Sequence, residues 1–84
     1  MKKVTIYTGP MCNYCEAAKR LLIRNNTSYN EINIANVDGA MDEMIKKAKG
    51  KRTMPQIFFD DQHIGGYDEV RALEKENKLK DLLK

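Results

Sequence analysis

Two cysteines three positions apart, in Cys12-Asn13-Tyr14-Cys15, are the residues best able to do chemistry in this chain. A pair at this spacing can be a structural disulfide, part of a metal site, or a redox couple. As a structural cross-link it contributes little, because closing so short a loop hardly restricts the unfolded chain. A reducing compartment would also tend to keep it open. A closed zinc site needs four ligands, whereas the chain has no third cysteine and a single, distant histidine, His63. No metal site is therefore expected. Thiol–disulfide exchange is the chemistry that position supports. Cys12 falls at the start of a predicted helix, where free backbone N–H groups and the positive end of the helix dipole favour thiolate over thiol. Each unit by which its pKa falls is about 1.4 kcal/mol of preference for the charged form. Cys15 lies one turn further in, is expected to be less exposed, and should keep a higher pKa. Cys12 is thus the expected nucleophile and Cys15 the resolving thiol.

The elements that must position this pair can be read on either side of it. Val4-Thr5-Ile6-Tyr7-Thr8, rich in β-branched residues and stopped by Gly9-Pro10, reads as a strand. From Tyr14 to about Arg24 the pattern turns helical, with Ala17, Ala18, Leu21 and Leu22 on one stripe and a stop at Asn25-Asn26. Residues 28–34 read as a second strand. Asp38 or Gly39 opens a second helix, whose stripe of Met41, Met44, Ile45 and Ala48 runs to Gly50. Gln56–Phe59 and Gln62–Ile64 form a hairpin across Asp60-Asp61. Gly65-Gly66 interrupts the pattern, and Asp68 is the expected N-cap of a helix carrying Val70 and Leu73 toward the end. The order β-α-β-α-β-β-α implies a right-handed parallel β-α-β unit followed by an antiparallel hairpin. This gives an α/β fold with a four-stranded mixed sheet and helices on both faces.

The 84 residues make one domain, 1–84, too small to spare a deep cavity, so any ligand must lie in a surface groove. No stretch reaches the roughly 18 apolar residues of a membrane span. The apolar run after Met1-Lys2-Lys3 stops too early for an export signal, which points to a cytoplasmic protein. Net charge is a modest +3, and the basic run Lys46 to Arg52 has no aromatic platform beside it. Nucleic-acid binding is therefore not expected. His63 reads as a strand-surface residue, and Met41 and Met44 read as core.

Four features, in order, give the chain a resemblance to the glutaredoxins, a branch of the thioredoxin fold. They are the strand leading into Cys12-Asn13-Tyr14-Cys15, then Thr53-Met54-Pro55, then the strand into Gly65-Gly66, then Asp68. The resemblance implies a cis peptide bond between Met54 and Pro55 beside the cysteines. It also implies a glutathione groove. Cys12 would take the glutathione sulfur and Tyr14 would flank it, while Thr53, Met54 and Pro55 would hold the tripeptide backbone. Gly66, Tyr67 and Asp68 would meet the γ-glutamyl end, and Lys51 or Arg52 would meet the glycyl carboxylate. Glutathione would be a co-substrate, with no tightly bound cofactor. Disulfide-containing or glutathionylated proteins would be the partners of an expected monomer, ribonucleotide reductase among them.

Two positions depart from the family pattern. Asn13 stands where dithiol members usually carry Pro, a change associated in the family with a glutathione-ligated [2Fe–2S] cluster shared by two subunits. Gly9 stands where relatives often have Lys, which removes one cation near the thiols. The sequence thus offers three activities. The first is a glutathione-dependent thiol–disulfide oxidoreductase, the second a cluster carrier or sensor using Cys12, and the third an electron donor reduced by thioredoxin reductase.

Overall fold

Strand β1 (Val4–Thr8) sits inside the sheet because both of its faces are apolar enough to bury. The computed structural model describes residues 1–84. It contains β1, α1 (Asn13–Arg24), β2 (Asn30–Asn33), α2 (Ala40–Lys47), β3 (Gln56–Phe59), β4 (Gln62–Gly65), α3 (Tyr67–Lys75) and α4 (Leu79–Leu83). The spatial order is β2-β1-β3-β4, with β2 parallel to β1 and the β3–β4 hairpin antiparallel to it. This is the expected four-stranded mixed sheet with helices on both faces.

Strand alternation divides the core in two. Val4 and Ile6 of β1, with Ile57 and Phe59 of β3, point to one side and bury against Ala18, Leu21 and Leu22 of α1 and Val70 of α3. Leu79 and Leu83 of α4 close that cluster. Tyr7 and Phe58 point to the other side, where Met44 and Ala48 of α2 cover them. The helical stripes read from the sequence therefore face the sheet as expected.

Three helices end in the same way. Asn26, Lys49 and Asn77 adopt left-handed backbone at φ 55°, 58° and 59°. The next residue then donates its N–H back to a carbonyl five residues earlier: Thr27 to Leu22 (2.9 Å), Gly50 to Ile45 (2.8 Å) and Lys78 to Leu73 (2.9 Å). This Schellman arrangement satisfies carbonyls that a helix end leaves unpaired. The third instance splits the C-terminal segment, expected as one helix, into α3 and α4. The break turns Leu79 and Leu83 back onto the sheet.

Candidate active site

Cys12 is the N-cap of α1, in extended backbone at φ −106° and ψ 101°. Its Sγ accepts the Cys15 backbone N–H at 3.1 Å, the position a serine oxygen takes in an ordinary cap. A thiolate formed here would meet that donor and the positive end of the α1 dipole. Cys12 is half-buried, whereas Cys15 is only 1% exposed. The two are joined by a disulfide with a Cα–Cα distance of 5.2 Å. The unequal exposure read from helix position is thus present: a reagent from solution can reach Cys12 and not Cys15. Met11, at φ 53° and fully exposed, and Tyr14, 63% exposed, flank the reachable sulfur.

The segment before β3 crosses in front of the pair. The Met54 carbonyl oxygen lies 3.8 Å from Cys12 Sγ, and the Met54–Pro55 peptide is cis. A groove of about 300 Å³ opens beside it. Tyr14, Lys51, Thr53, Met54 and Pro55 line it together with Gly66, Tyr67 and Asp68. The Tyr14 and Tyr67 rings face each other with centroids 5.8 Å apart. The residues singled out around Thr-Met-Pro and Gly-Gly therefore converge on one groove next to Cys12. Arg52 does not line it, so Lys51 is the cation placed there.

Glu69 also lines the groove, and the sequence reading passed over it. Its carboxylate accepts the Gly66 N–H at 2.6 Å. Gly66, not Asp68, is consequently the N-cap of α3, and Asp68 is the second residue of the helix. The available signal was an acid three residues after a glycine at a helix start, the spacing of the reciprocal half of a capping box. Because Glu69 does the capping, the exposed Asp68 carboxylate stays free at the groove. The two glycines fit this packing. Gly65 sits at φ 128°, and a Cβ on Gly66 would approach the Pro55 carbonyl oxygen to 3.2 Å.

The other departures also have physical reasons. A Cβ at Gly9 would lie 2.6 Å from Met54 Sδ, so the Met54 thioether takes the space a side chain at 9 would need. His63, expected at the strand surface, is half-buried with its ring 5.0 Å from that of Phe58. Burial pushes its pKa below the usual histidine value, and the charges of Lys51 and Lys49 push the same way. It stands on β4, apart from the cysteines. No three His, Cys, Asp or Glu side chains gather as a metal-binding group. With Cys15 buried, the chain's own donors toward a [2Fe–2S] cluster reduce to Cys12 alone. A cluster ligated by glutathione and shared by two subunits asks no more of one chain than that single thiolate, and no step is assigned to it.

A four-stranded mixed sheet in the order β-α-β-α-β-β-α-α, with a cysteine pair whose first member caps the first helix and a cis-proline beside it, defines a thioredoxin-like protein with a redox-active cysteine pair. Comparison with known proteins narrows this class. The family model described as Glutaredoxin matches residues 4–64. The chain is 46% identical over 81 residues to Glutaredoxin 1 of Rickettsia prowazekii, covering 95% of this chain and 85% of that protein. It is 45% identical to Glutaredoxin 3 of Escherichia coli K12 over the full length of both. The solution structure of a glutaredoxin from Brucella melitensis superposes with a TM-score of 0.85 at 45% identity, over 100% of this chain and 90% of that one. The crystal structure of a buckwheat glutaredoxin–glutathione complex superposes at 0.86 with 26% identity, over 98% and 76%. The chain belongs to the glutaredoxin family, whose members are generally thiol–disulfide oxidoreductases.

Proposed function

We propose that this chain reduces glutathione mixed disulfides and protein disulfides, with glutathione as the electron donor. The observation that carries the reading is the groove beside Cys12, whose lining includes both the Lys51 ammonium and the Asp68 carboxylate. Such a polar slot suits an extended peptide bearing a carboxylate at one end and an ammonium group at the other. The relative solved as a glutathione complex supports the same choice of ligand.

In the monothiol route, Cys12 thiolate attacks the glutathione sulfur of a mixed disulfide. The S–S bond breaks, the protein thiolate leaves and takes up a proton, and Cys12 is left glutathionylated. A second glutathione thiolate attacks that sulfur, releases glutathione disulfide and regenerates Cys12 thiolate. In the dithiol route, Cys12 first forms a mixed disulfide with the substrate protein. Cys15 then attacks Cys12 from inside α1, the substrate leaves reduced, and two glutathiones reopen the Cys12–Cys15 bond. The Cys15 N–H aimed at Cys12 Sγ stabilises the negative charge that returns to Cys12 in both routes. With glutathione as donor the protein would work in a reducing compartment, and the cytoplasm is the one this reading assigns.

Turnover coupled to NADPH through glutathione reductase tests the reading. Cys12→Ser should lose all activity, whereas Cys15→Ser should retain deglutathionylation and lose protein-disulfide reduction. Activity surviving in Cys12→Ser, or turnover sustained only by thioredoxin reductase, would overturn it.

A further inference from the structure

Gln56 is a polar side chain only 1% exposed, yet every polar atom of its amide is engaged. Its Nε2 lies 2.9 Å from the Thr53 carbonyl oxygen and 3.1 Å from Thr53 Oγ1. Its Oε1 lies 2.7 Å from His63 Nε2. These contacts admit one assignment. The Thr53 carbonyl can only accept, so the NH₂ end of Gln56 must face it. The oxygen end then faces His63, so His63 Nε2 carries the proton and donates. At the far end, Thr53 Oγ1 accepts a hydrogen bond from Gln56, which leaves its own O–H free to donate. Thr53 is exposed and lines the groove beside Cys12, so that free proton is available to a bound acceptor. The stack of the His63 ring on Phe58 fixes the start of the chain.

We infer that His63 is a positioning residue for substrate: through the buried Gln56 amide it holds the Thr53 carbonyl and hydroxyl in the geometry that presents a hydrogen-bond donor to a bound peptide. The inference rests on the glutathione reading above and identifies what sets one of its contacts. Removing the His63 donor leaves Gln56 Oε1 buried without a partner, a loss the side chain relieves by rotating toward water. Rotation takes the NH₂ end away from Thr53, and the groove loses its ordered donor while the cysteines stay in place. Binding is then impaired and sulfur exchange is not.

Steady-state kinetics on a glutathionylated peptide, at fixed excess glutathione, provide the test. His63→Leu should raise KM for that peptide by about tenfold with kcat within about twofold of the parent, the size expected when one buried hydrogen-bond partner is removed. His63→Gln, which restores an N–H at similar reach, should bring KM back to within about threefold. Thr53→Val should raise KM on its own, and adding it to His63→Leu should raise KM no further, because both act on one chain of bonds. In ¹⁵N-edited NMR spectra, the Gln56 side-chain amide protons should exchange slowly in the parent and in His63→Gln, and fast in His63→Leu. Parent protein that fails to turn over the glutathionylated peptide removes the glutathione reading and this inference with it. Parent turnover combined with an unchanged KM in His63→Leu, fully additive effects with Thr53→Val, or no recovery in His63→Gln overturns the positioning role alone. A purely structural loss would lower the unfolding midpoint and the active fraction, and so kcat, without moving KM.

Discussion

The two faces of the sheet are built differently, and the active site lies on the seam between them. The face toward α1, α3 and α4 is a ten-residue apolar cluster, with its ion pairs confined to the rim. The face toward α2 has four buried residues, and polar bonds are laced through it. There Tyr7 donates its hydroxyl to Glu43 at 3.0 Å, and burial together with that bond pushes the phenol pKa up. Gln56 and His63 belong to the same side. Cys12 and Cys15 ride on α1, over the dry face, whereas Met54 packs with the α2 cluster. The difference teaches a division of labour. The sulfurs ride on the side with the larger buried cluster, and of the groove's lining Met54 belongs to the side rich in methionine and hydrogen bonds while Tyr67 packs on the dry side.

The sharpest way to break this comparison is to cut a large side chain from each face. Phe59→Ala, on the dry face, should cost about 3–5 kcal/mol. Met44→Ala, under α2, should cost about 2–3 kcal/mol, because neighbouring methionines can shift into the space. A domain of this kind has only about 5–15 kcal/mol of stability in total. Phe59→Ala should therefore unfold a large fraction of the protein by body temperature, while Met44→Ala stays folded with a lower urea midpoint. Equal losses from the two, measured by urea unfolding at matched pH, would show that the two cores are equivalent after all.

Next in size is the rim of the dry face, which titrates. Glu74 on α3 receives Arg24 Nε and Nη2 at 2.8 and 2.7 Å, Asn25 Nδ2 at 2.7 Å and Arg71 Nη1 at 3.1 Å. The Arg24 hydrogen bonds lead in holding its carboxyl down at about 2, against an ordinary value of 4.5, with Asn25 assisting and burial opposing. A folded-state pKa below the unfolded one gives stability that is fully present above pH 4.5. That stability is lost as pH falls from there through 2. The full shift corresponds to about 3 kcal/mol. Arg24 is half-exposed, so screening by solvent leaves about 2 kcal/mol. Glu74→Gln should lose about that much at pH 7, and its deficit against the parent should shrink toward zero near pH 2. Urea midpoints followed down the acid limb measure it. A deficit that stays constant with pH would mean that Glu74 acts through packing and not through charge.

The dry face was also the more legible one in the sequence. The alternation in Val4–Thr8 and the stripe of Ala18, Leu21 and Leu22 specify their partners by period alone, because apolar burial is non-directional. The cysteine pair was legible for a related reason: its chemistry follows from its place at a helix start. Features that depend on a directional bond between distant residues were not legible. Asp68 and Glu69 are both acids at a helix start, and only the Glu69 bond to the Gly66 N–H decides which of them caps. Nothing in the composition separates Lys51 from Arg52, yet one lines the groove and the other does not. Gly9 looked like a missing cation until the Met54 thioether was found over it. The break at Asn77 lacked the usual glycine or proline, and asparagine alone is an ambiguous stop.

The smallest expected effect concerns the three helix ends that share one design. Asn26 ends α1 and Asn77 ends α3, both in the left-handed region, where asparagine is tolerated. Lys49 ends α2 in the same conformation, at φ 58°, without that excuse. Its Cβ crowds the backbone there, a strain of about 1–2 kcal/mol that glycine would not carry. Glycine in turn costs the folded state about 0.5–1 kcal/mol in extra chain entropy. Lys49→Gly should therefore stabilise the protein by about 0.5 kcal/mol net, while Asn26→Gly should change it by less. The substitution also takes away one of the charges that hold the His63 pKa down, so that pKa should rise toward its ordinary value. Thermal unfolding compares the two glycine variants, and an NMR titration follows His63. A stabilisation from Asn26→Gly as large as that from Lys49→Gly would show that side-chain identity at these caps is immaterial. The polar α2 face would then hold its helix end no less comfortably than the dry face holds its own.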